Sequence, residues 1–138
     1  MTDKDYMQEA INLARLGAGF TAPNPMVGAV VVKNGVIVGK GYHHKCGQAH
    51  AEVEALAMAG LQAQGATLYV TLEPCAHYGK TPPCANRVVE AGIKRVVIGS
   101  VDPNPLVAGK GIAILKAGGI QVDRSSLEDF CIDLNQDF

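Results

Sequence analysis

Apolar residues near the start of the chain recur at the spacing of one helical face. These residues are Met7, Ala10, Ile11 and Ala14. Because an α-helix places residues three and four apart on the same side, this spacing predicts an amphipathic helix. Thr2 is its candidate N-cap, since a hydroxyl there can accept a hydrogen bond from a free backbone N–H. Gly17 and Gly19 mark its end.

Two runs of β-branched residues follow this helix. The runs cover 27–32 and 36–38, and Asn34-Gly35 lies between them. Asparagine and glycine accept the positive φ angles that a two-residue hairpin turn requires. The pattern therefore predicts two antiparallel strands joined by a tight turn.

Helical and strand patterns alternate along the remainder of the chain. Helices are predicted at about 50–62, 84–91 and 112–116, and strands at about 67–72, 95–101 and 120–122. Ser125 and Glu128 have the spacing of a capping box, which predicts a terminal helix over about 126–138. A hairpin followed by such alternation predicts an α/β domain with one partly antiparallel sheet and helices on both of its faces.

Composition and charge narrow the class of protein. Apolar residues make up 48% of the 138 residues and charged residues 18%, which predicts one well-buried domain and argues against a disordered chain. The net charge is −1, so neither non-specific binding of nucleic acid nor binding to a membrane surface is expected. The N-terminus is polar and no apolar run reaches the roughly 18 residues of a membrane span, so we expect a cytoplasmic location.

The cysteines and histidines cluster in the middle of the chain. Three of the four cysteines and three of the four histidines fall between positions 44 and 84. In a reducing compartment, cysteines more often bind metal or pack in a core than form disulfides. The cluster therefore indicates a metal site.

Two short motifs within this cluster have the spacing of a catalytic zinc site. They are His50-Ala51-Glu52 and Pro74-Cys75, the second followed by Cys84. Catalytic zinc takes three protein ligands and leaves one position open for water, and one histidine with two thiolates meets that need. Glu52 begins the same helix as His50 but points elsewhere, so it can flank the metal without binding it. The free N–H groups at the start of the third helix would favour thiolate at both cysteines.

These motifs resemble the signature of the zinc-dependent nucleobase deaminases, in which His-x-Glu is followed by Pro-Cys-x-x-Cys. The second cysteine here follows the first by nine positions rather than three. With this longer insert, the chain resembles the deaminase domain of the bifunctional pyrimidine deaminase/reductases of riboflavin biosynthesis, over about 4–122. The matching stretches are 24–28, 41–52, 69–75, 77, 79–84 and 102–105.

This resemblance implies a fold, a reaction and a set of site residues. The fold is a cytidine-deaminase-like three-layer α/β/α sandwich with a mixed five-stranded sheet. The reaction is the zinc-dependent hydrolytic deamination of 2,5-diamino-6-(5-phosphoribosylamino)pyrimidin-4-one to 5-amino-6-(5-phosphoribosylamino)uracil and ammonia. His50, Cys75 and Cys84 would bind one zinc ion, and Glu52 would move protons between the water, the ring and the leaving amine. The substrate pocket would be lined by Asn24, His43, His77, Lys80, Asp102 and Asn104.

The resemblance also implies partners and a domain plan. The substrate is a small pyrimidine ribosyl phosphate, and a homodimer or homotetramer is expected, with neither a nucleic acid nor a membrane as partner. The deaminase domain is expected to span 1–138, with its core at about 4–123. Nothing after Phe138 could form the NADPH-dependent reductase half, so no NADPH is expected for this chain.

The residues alone leave other functions open. Cys46, four positions before His50, could supply a fourth ligand and close the site, which would make zinc a structural element of a binding domain. A zinc deaminase for another substrate, such as cytosine, guanine, dCMP or a tRNA adenosine, would carry the same motifs. Otherwise Cys46 and Cys131 are expected to be inert thiols. Glu73 is expected either to hydrogen-bond behind the metal ligands or to contact substrate.

Overall fold

Helices and strands alternate in the order that the hydrophobic pattern predicts. The computed structural model describes residues 1–17, 26–43, 50–76, 83–101, 105–106 and 108–134. Within them the helices are α1 (Asp3–Arg15), α2 (Ala51–Ala59), α3 (Cys84–Glu90), α4 (Lys110–Ala117) and α5 (Glu128–Asp133). The strands are β1 (Gly28–Lys33), β2 (Val36–Tyr42), β3 (Thr67–Leu72), β4 (Arg95–Ser100) and β5 (Gln121–Arg124). A 3₁₀ turn, Gly60–Ala63, extends α2.

The strands of the described residues form one mixed sheet in the order β2-β1-β3-β4-β5. β1 runs antiparallel to both β2 and β3, whereas β3, β4 and β5 are parallel. Parallel neighbours need crossover connections, and these contain α3 and α4. The predicted mixed five-stranded sheet is confirmed.

The hairpin of β1 and β2 closes through the predicted Asn-Gly turn. Asn34 has a φ of 51° and Gly35 a φ of 78°. Both values are positive, as a tight hairpin turn requires, and this residue pair adopts them with little strain. β2 continues to Tyr42, beyond the predicted end at 38, because β1 pairs with it over its whole length.

The predicted start of the first helix is confirmed as a capping box. Thr2 Oγ1 accepts a hydrogen bond from the Asp5 N–H at 3.4 Å, and Asp5 Oδ2 accepts one from the Thr2 N–H at 2.9 Å. The two side chains therefore satisfy two of the backbone donors that every helix start leaves without a partner.

The capping box predicted for the terminal helix is wrong. α5 begins at Glu128 and has no side-chain cap. The Ser125 hydroxyl instead accepts the Leu127 N–H at 3.0 Å, within its own turn. The Glu128 carboxylate pairs with the Arg124 guanidinium at 2.9 Å, so it does not reach back to the turn. α5 ends at Asp133, and the last four positions of the predicted 126–138 helix lie outside the described residues.

Helices cover both faces of the sheet and enclose two apolar clusters. Alternate residues of β1 point to opposite faces, so Val30 joins one cluster and Val31 the other. The cluster under α1 and α5 includes Met7, Ile11, Tyr69 and Cys131. The cluster under α2, α3 and α4 includes Leu68, Val88, Ile98 and Leu115. The predicted three-layer α/β/α sandwich is confirmed. No helix in the described ranges is long and apolar enough to cross a membrane.

Ion pairs and a hydrogen bond join the start of α1 to the edge of the sheet at which β3 and β4 begin. Arg95 pairs with Asp3 at 2.8 Å and with Asp123 at 2.7 Å, and the Tyr69 hydroxyl donates to Asp3 at 2.5 Å. The hydrogen-bonded Arg95 guanidinium lowers the pKa of Asp3 to about 2. Because these groups are partly exposed, each pair contributes little to stability. The Asp3 contacts join the start of α1 to β3 and β4, and the Asp123 contact joins β4 to β5.

The opposite edge gathers the strand ends that lead to the predicted site residues. β3 and β4 end there, β2 ends there and β1 begins there. The Gly28 N–H donates to Thr71 Oγ1 at 3.1 Å, and the Glu73 N–H donates to the Ser100 carbonyl at 2.8 Å. The carboxyl ends of parallel strands are the usual place for a ligand site in α/β sheets.

α2 lies directly against β2 at two glycines. A Cβ atom at Gly39 or Gly41 would come closer than 3.0 Å to the α2 backbone, at Ala55 and Ala51 respectively. Ala51 is the first residue of α2, directly after His50. The contact at Gly41 therefore fixes the start of α2, and with it the position of His50, relative to β2.

Gly41→Ala is expected to destabilise the fold. The added methyl group would enter the backbone of α2, which cannot move aside like a flexible side chain, so the free energy of unfolding should fall by about 1–3 kcal/mol or more. Lys40 is an exposed residue on the same strand, so Lys40→Ala should alter the free energy of unfolding by less than about 0.5 kcal/mol. Urea midpoints of the two variants and the wild type provide the measurement, and equal midpoints would contradict the close contact.

Candidate metal centre

Three residues from distant parts of the sequence meet at this edge. His50, Cys75 and Cys84 place their possible ligand atoms within 4.8 Å of one another. His50 Nδ1 lies 3.1 Å from Cys84 Sγ, and the Cys84 backbone N–H donates to Cys75 Sγ at 3.2 Å. The structure therefore brings together the three predicted metal ligands. We call this set the donor group.

Each member of the donor group lies at the end of a regular element. His50 is the N-cap residue of α2, with an extended backbone and no side-chain cap bond to occupy its ring. Cys84 is the first residue of α3 and follows Pro83, whose ring fixes the approach of the chain. Cys75 follows β3, and its carbonyl accepts the Ala85 N–H at 3.1 Å. The start of α3 thus holds both cysteines.

The geometry favours thiolate at Cys75. Hydrogen bonds from the Cys84 thiol and the His50 ring lower the pKa of Cys75, against the effect of burial. The same contact with Cys75, together with burial, raises the pKa of Cys84. The hydrogen bond to Cys75 also raises the pKa of His50. The sequence predicted thiolate at both cysteines. In this geometry only Cys75 is favoured as thiolate, because Cys84 is the proton donor of the pair.

The donor group fits zinc. Zn²⁺ prefers nitrogen and sulfur ligands at about 2.0–2.3 Å, which places tetrahedral donor atoms roughly 3.3–3.8 Å apart. His50 Nδ1 and Cys84 Sγ are 3.1 Å apart, and all three donor atoms lie within 4.8 Å of one another, so one ion can reach them with small side-chain adjustments. Within the described ranges, no fourth histidine, cysteine or carboxylate joins the group. Cys46, the alternative fourth ligand, lies outside these ranges. Three ligands from protein are the number that a catalytic zinc site uses.

Glu52 lies beside the donor group without being part of it. Glu52 is 4% exposed, whereas His50 is an exposed residue. Burial raises the pKa of Glu52 to about 7, and the nearby charge of His50 opposes that shift. A buried carboxyl that titrates near neutrality can both accept a proton and return it. This is the chemistry expected of a general acid–base group.

His43 is the predicted substrate-binding residue that the described ranges include. It follows β2, is 3% exposed, and its N–H donates to the Val27 carbonyl at 3.0 Å. Its ring centroid lies 5.5 Å from that of His50, edge to face. The structure thus places His43 next to the donor group. The other predicted contacts lie outside the described residues: Asn24, His77, Lys80, Asp102 and Asn104.

Two glutamates have roles that the sequence did not define. Glu54 Oε1 accepts the Tyr42 N–H at 3.3 Å and so ties α2 to the end of β2. Glu73 binds the backbone at the start of α4. Each carboxylate accepts hydrogen bonds from main-chain N–H groups. Because every residue except proline has such a group, the residue types along the sequence do not indicate these contacts.

Cys131 is buried on the face of the sheet away from the donor group, where its sulfur would meet a Cβ atom at Gly99.

The chain, including these site residues, matches a known protein family. The model of the cytidine and deoxycytidylate deaminase zinc-binding region matches residues 1–100. The chain belongs to this deaminase family. The match includes His50, Cys75 and Cys84, which form the donor group.

Curated members of the deaminase family resemble the chain over nearly its whole length. Riboflavin biosynthesis protein RibD of Aquifex aeolicus is 57% identical over 136 residues, which are 99% of this chain and 38% of the relative. The diaminohydroxyphosphoribosylamino-pyrimidine deaminase of Buchnera aphidicola subsp. Acyrthosiphon pisum is 54% identical over 138 residues, 94% of that protein. The chain therefore spans about two fifths of the RibD relative and nearly all of the shorter one.

Solved structures of the deaminase family share the fold. Acinetobacter baumannii RibD superposes with a TM-score of 0.95 at 59% identity, covering 97% of this chain and 38% of that chain. The dCMP deaminase of cyanophage S-TIM5 gives a TM-score of 0.67 at 25% identity, covering 89% of this chain and 96% of that one. The resemblance stated from the motifs is confirmed, together with the cytidine-deaminase-like α/β fold.

Proposed function

We propose that this chain carries out the deamination step of riboflavin biosynthesis. The substrate is 2,5-diamino-6-(5-phosphoribosylamino)pyrimidin-4-one, and the products are 5-amino-6-(5-phosphoribosylamino)uracil and ammonia. The observation that carries the proposal is a buried carboxyl, Glu52, beside a His-Cys-Cys donor group. The relative that matches this chain over almost its full length bears the name of that deaminase, which supports the choice of substrate.

His50, Cys75 and Cys84 would hold one zinc ion per chain. Zinc held there would lower the pKa of water toward about 7 and so supply hydroxide at neutral pH. Cys84 closes the buried side of the donor group, and His50 lies on the exposed side, where a small molecule can approach. The elements around these residues form one sheet with its helices, which supports a single deaminase domain.

Glu52 would carry the protons of the reaction. Its pKa of about 7 allows the carboxylate to take a proton from water and the acid to give it back. The proton passes to a ring nitrogen as the water oxygen bonds to the carbon that bears the amino group. Glu52 then takes the proton of the new hydroxyl group and gives it to the amine, so that the carbon–oxygen double bond forms as the carbon–nitrogen bond breaks and ammonia leaves.

Substrate contacts are assigned on the resemblance to the riboflavin enzymes. His43, packed edge-on against His50, is close enough to the donor group to face a bound pyrimidine. Lys80 would pair with the phosphate, because a cation recognises an anionic group through charge-assisted hydrogen bonds. The remaining proposed contacts are Asn24, His77, Asp102 and Asn104. We further propose a homodimer or homotetramer.

Ammonia release from alternative substrates tests this proposal. The zinc-loaded protein is expected to turn over the diaminopyrimidinone ribosyl phosphate with a kcat/KM at least about 100-fold above those for cytidine, dCMP and guanine, because a site that hydrogen-bonds its substrate rejects analogues that lack the partners. Turnover of dCMP or cytidine alone would assign the site to another base. Full zinc occupancy without any turnover would favour a zinc-stabilised binding domain.

A further inference from the structure

Glu73 connects the donor group to a helix that contributes no ligand. It directly follows β3 and lies two positions before Cys75. Its side chain is 7% exposed, and a carboxylate so deeply buried needs hydrogen-bond partners. Its two oxygens accept the backbone N–H groups of Gly109 and Ile112, both at 3.0 Å.

These two bonds cap α4. The N-cap residue of α4 is Gly109, which has no side chain with which to cap the helix. The first N–H groups of a helix have no partner within it, and the helix dipole favours a negative charge at that end. Glu73 therefore supplies, from the end of a distant strand, the cap that α4 lacks locally.

The main chain next to Glu73 is held as well. Its N–H donates to the carbonyl of Ser100, the last residue of β4, at 2.8 Å. A Cβ atom at Gly111 would come closer than 3.0 Å to the Pro74 carbonyl oxygen, so the α4 backbone packs directly on the residue before Cys75. The segment that leads to Cys75 is thus held by hydrogen bonds at the Glu73 side chain and N–H, and by packing against the Pro74 carbonyl.

We propose that Glu73 is a positioning residue for the metal centre. By capping α4 it holds the segment that presents Cys75 Sγ to His50 and Cys84. This inference rests on the zinc site of the proposed function. A carboxylate that served stability alone would leave the metal affinity of the folded protein unchanged, whereas groups that orient metal ligands typically alter it by about 10–100-fold when they are replaced.

Glu73→Gln tests this role with little change in side-chain volume. The amide places an NH₂ group against one of the two backbone donors, so α4 loses half of its cap. We expect the zinc Kd of the folded variant, measured by competition with a chromophoric chelator, to rise about 10–100-fold. The thiolate-to-cobalt absorption band of the Co²⁺-loaded variant should lose intensity, because Cys75 is held less firmly.

Asp5→Asn is the matched control. It makes the same carboxyl-to-amide change in the capping box of α1, on the opposite face of the sheet. We expect a lower Tm for this variant, with zinc Kd and cobalt spectrum equal to those of the wild type. A loss of general stability would affect both variants, whereas a positioning role affects the metal only in Glu73→Gln.

A second pair of variants decides the question if Glu73→Gln does not fold. Gly109 and Gly119 have nearly the same φ, 84° and 83°, and a Cβ atom at either would meet nothing within 4 Å. Alanine therefore strains both positions alike, but only Gly109 donates its N–H to Glu73. We expect Gly109→Ala to weaken zinc binding about tenfold and Gly119→Ala to leave it unchanged.

The outcomes separate this inference from the function on which it rests. Wild-type zinc affinity and cobalt spectra in Glu73→Gln and Gly109→Ala would overturn the positioning role and leave Glu73 as a helix cap alone. A wild-type protein that binds zinc and releases ammonia in the same experiment would retain the proposed function despite that result. A wild-type protein that binds no zinc would overturn both.

Discussion

Glu52→Gln is expected to lower kcat for ammonia release by about 10²–10⁴-fold while zinc content stays at that of the wild type. The amide has the size of the carboxyl group but cannot accept a proton from water. Zinc is retained because Glu52 is not a member of the donor group. Steady-state kinetics and metal analysis of the same preparation provide the measurement. Loss of zinc along with activity would contradict the separation of these roles.

Glu54→Gln is the control on the same helix. This carboxylate accepts the Tyr42 N–H at 3.3 Å, and an amide oxygen can accept the same bond, so kcat should change by less than about twofold. Glu52→Gln should not lower the Tm, because burial penalises the charged carboxylate and the amide is neutral. A kcat loss of the same size in both variants would indicate damage to α2 rather than loss of a proton carrier.

The backbone could be predicted wherever one local signal decides the conformation. Asn34-Gly35 forms its turn because the positive φ angles suit these two residues. Thr2 caps α1 because both partners of its hydroxyl belong to one residue a single turn away: it accepts the Asp5 N–H and donates to the Asp5 carboxylate. The capping box predicted at Ser125 failed because Glu128 has a competing partner, the Arg124 guanidinium, that a local pattern does not reveal.

The donor group could be predicted because metal-ligand chemistry is confined to a few side chains and their spacing is specific. For Glu73 the sequence left two roles open, hydrogen bonding behind the metal ligands or substrate contact, and it could not identify the partners, since these are backbone N–H groups 36 and 39 positions away. Any residue except proline offers such a donor, so neither composition nor spacing identifies it. Only the packing of α4 on the end of β3 shows that this glutamate holds the segment before Cys75.

Cys84→Ala is expected to abolish zinc binding and to lower kcat at least about 10³-fold. It removes one of the three protein ligands, and His50 and Cys75 alone are too few for a catalytic zinc site. Metal analysis after dialysis against buffered zinc gives the first readout. The second is thermal unfolding, since a ligand that binds only the folded state adds about 4 kcal/mol at a thousand times its Kd.

Cys131→Ala is the control that separates metal loss from cavity formation. Both cysteines are buried, so each alanine variant deletes one sulfur from the interior and loses a similar amount of apolar contact. Cys131 lies on α5, on the face of the sheet away from the donor group. Added zinc should therefore raise the Tm of the wild type and of Cys131→Ala, and leave that of Cys84→Ala unchanged. A zinc-dependent rise in Cys84→Ala would mean that the ion is held by other residues, and the assignment of Cys84 as a ligand would be wrong.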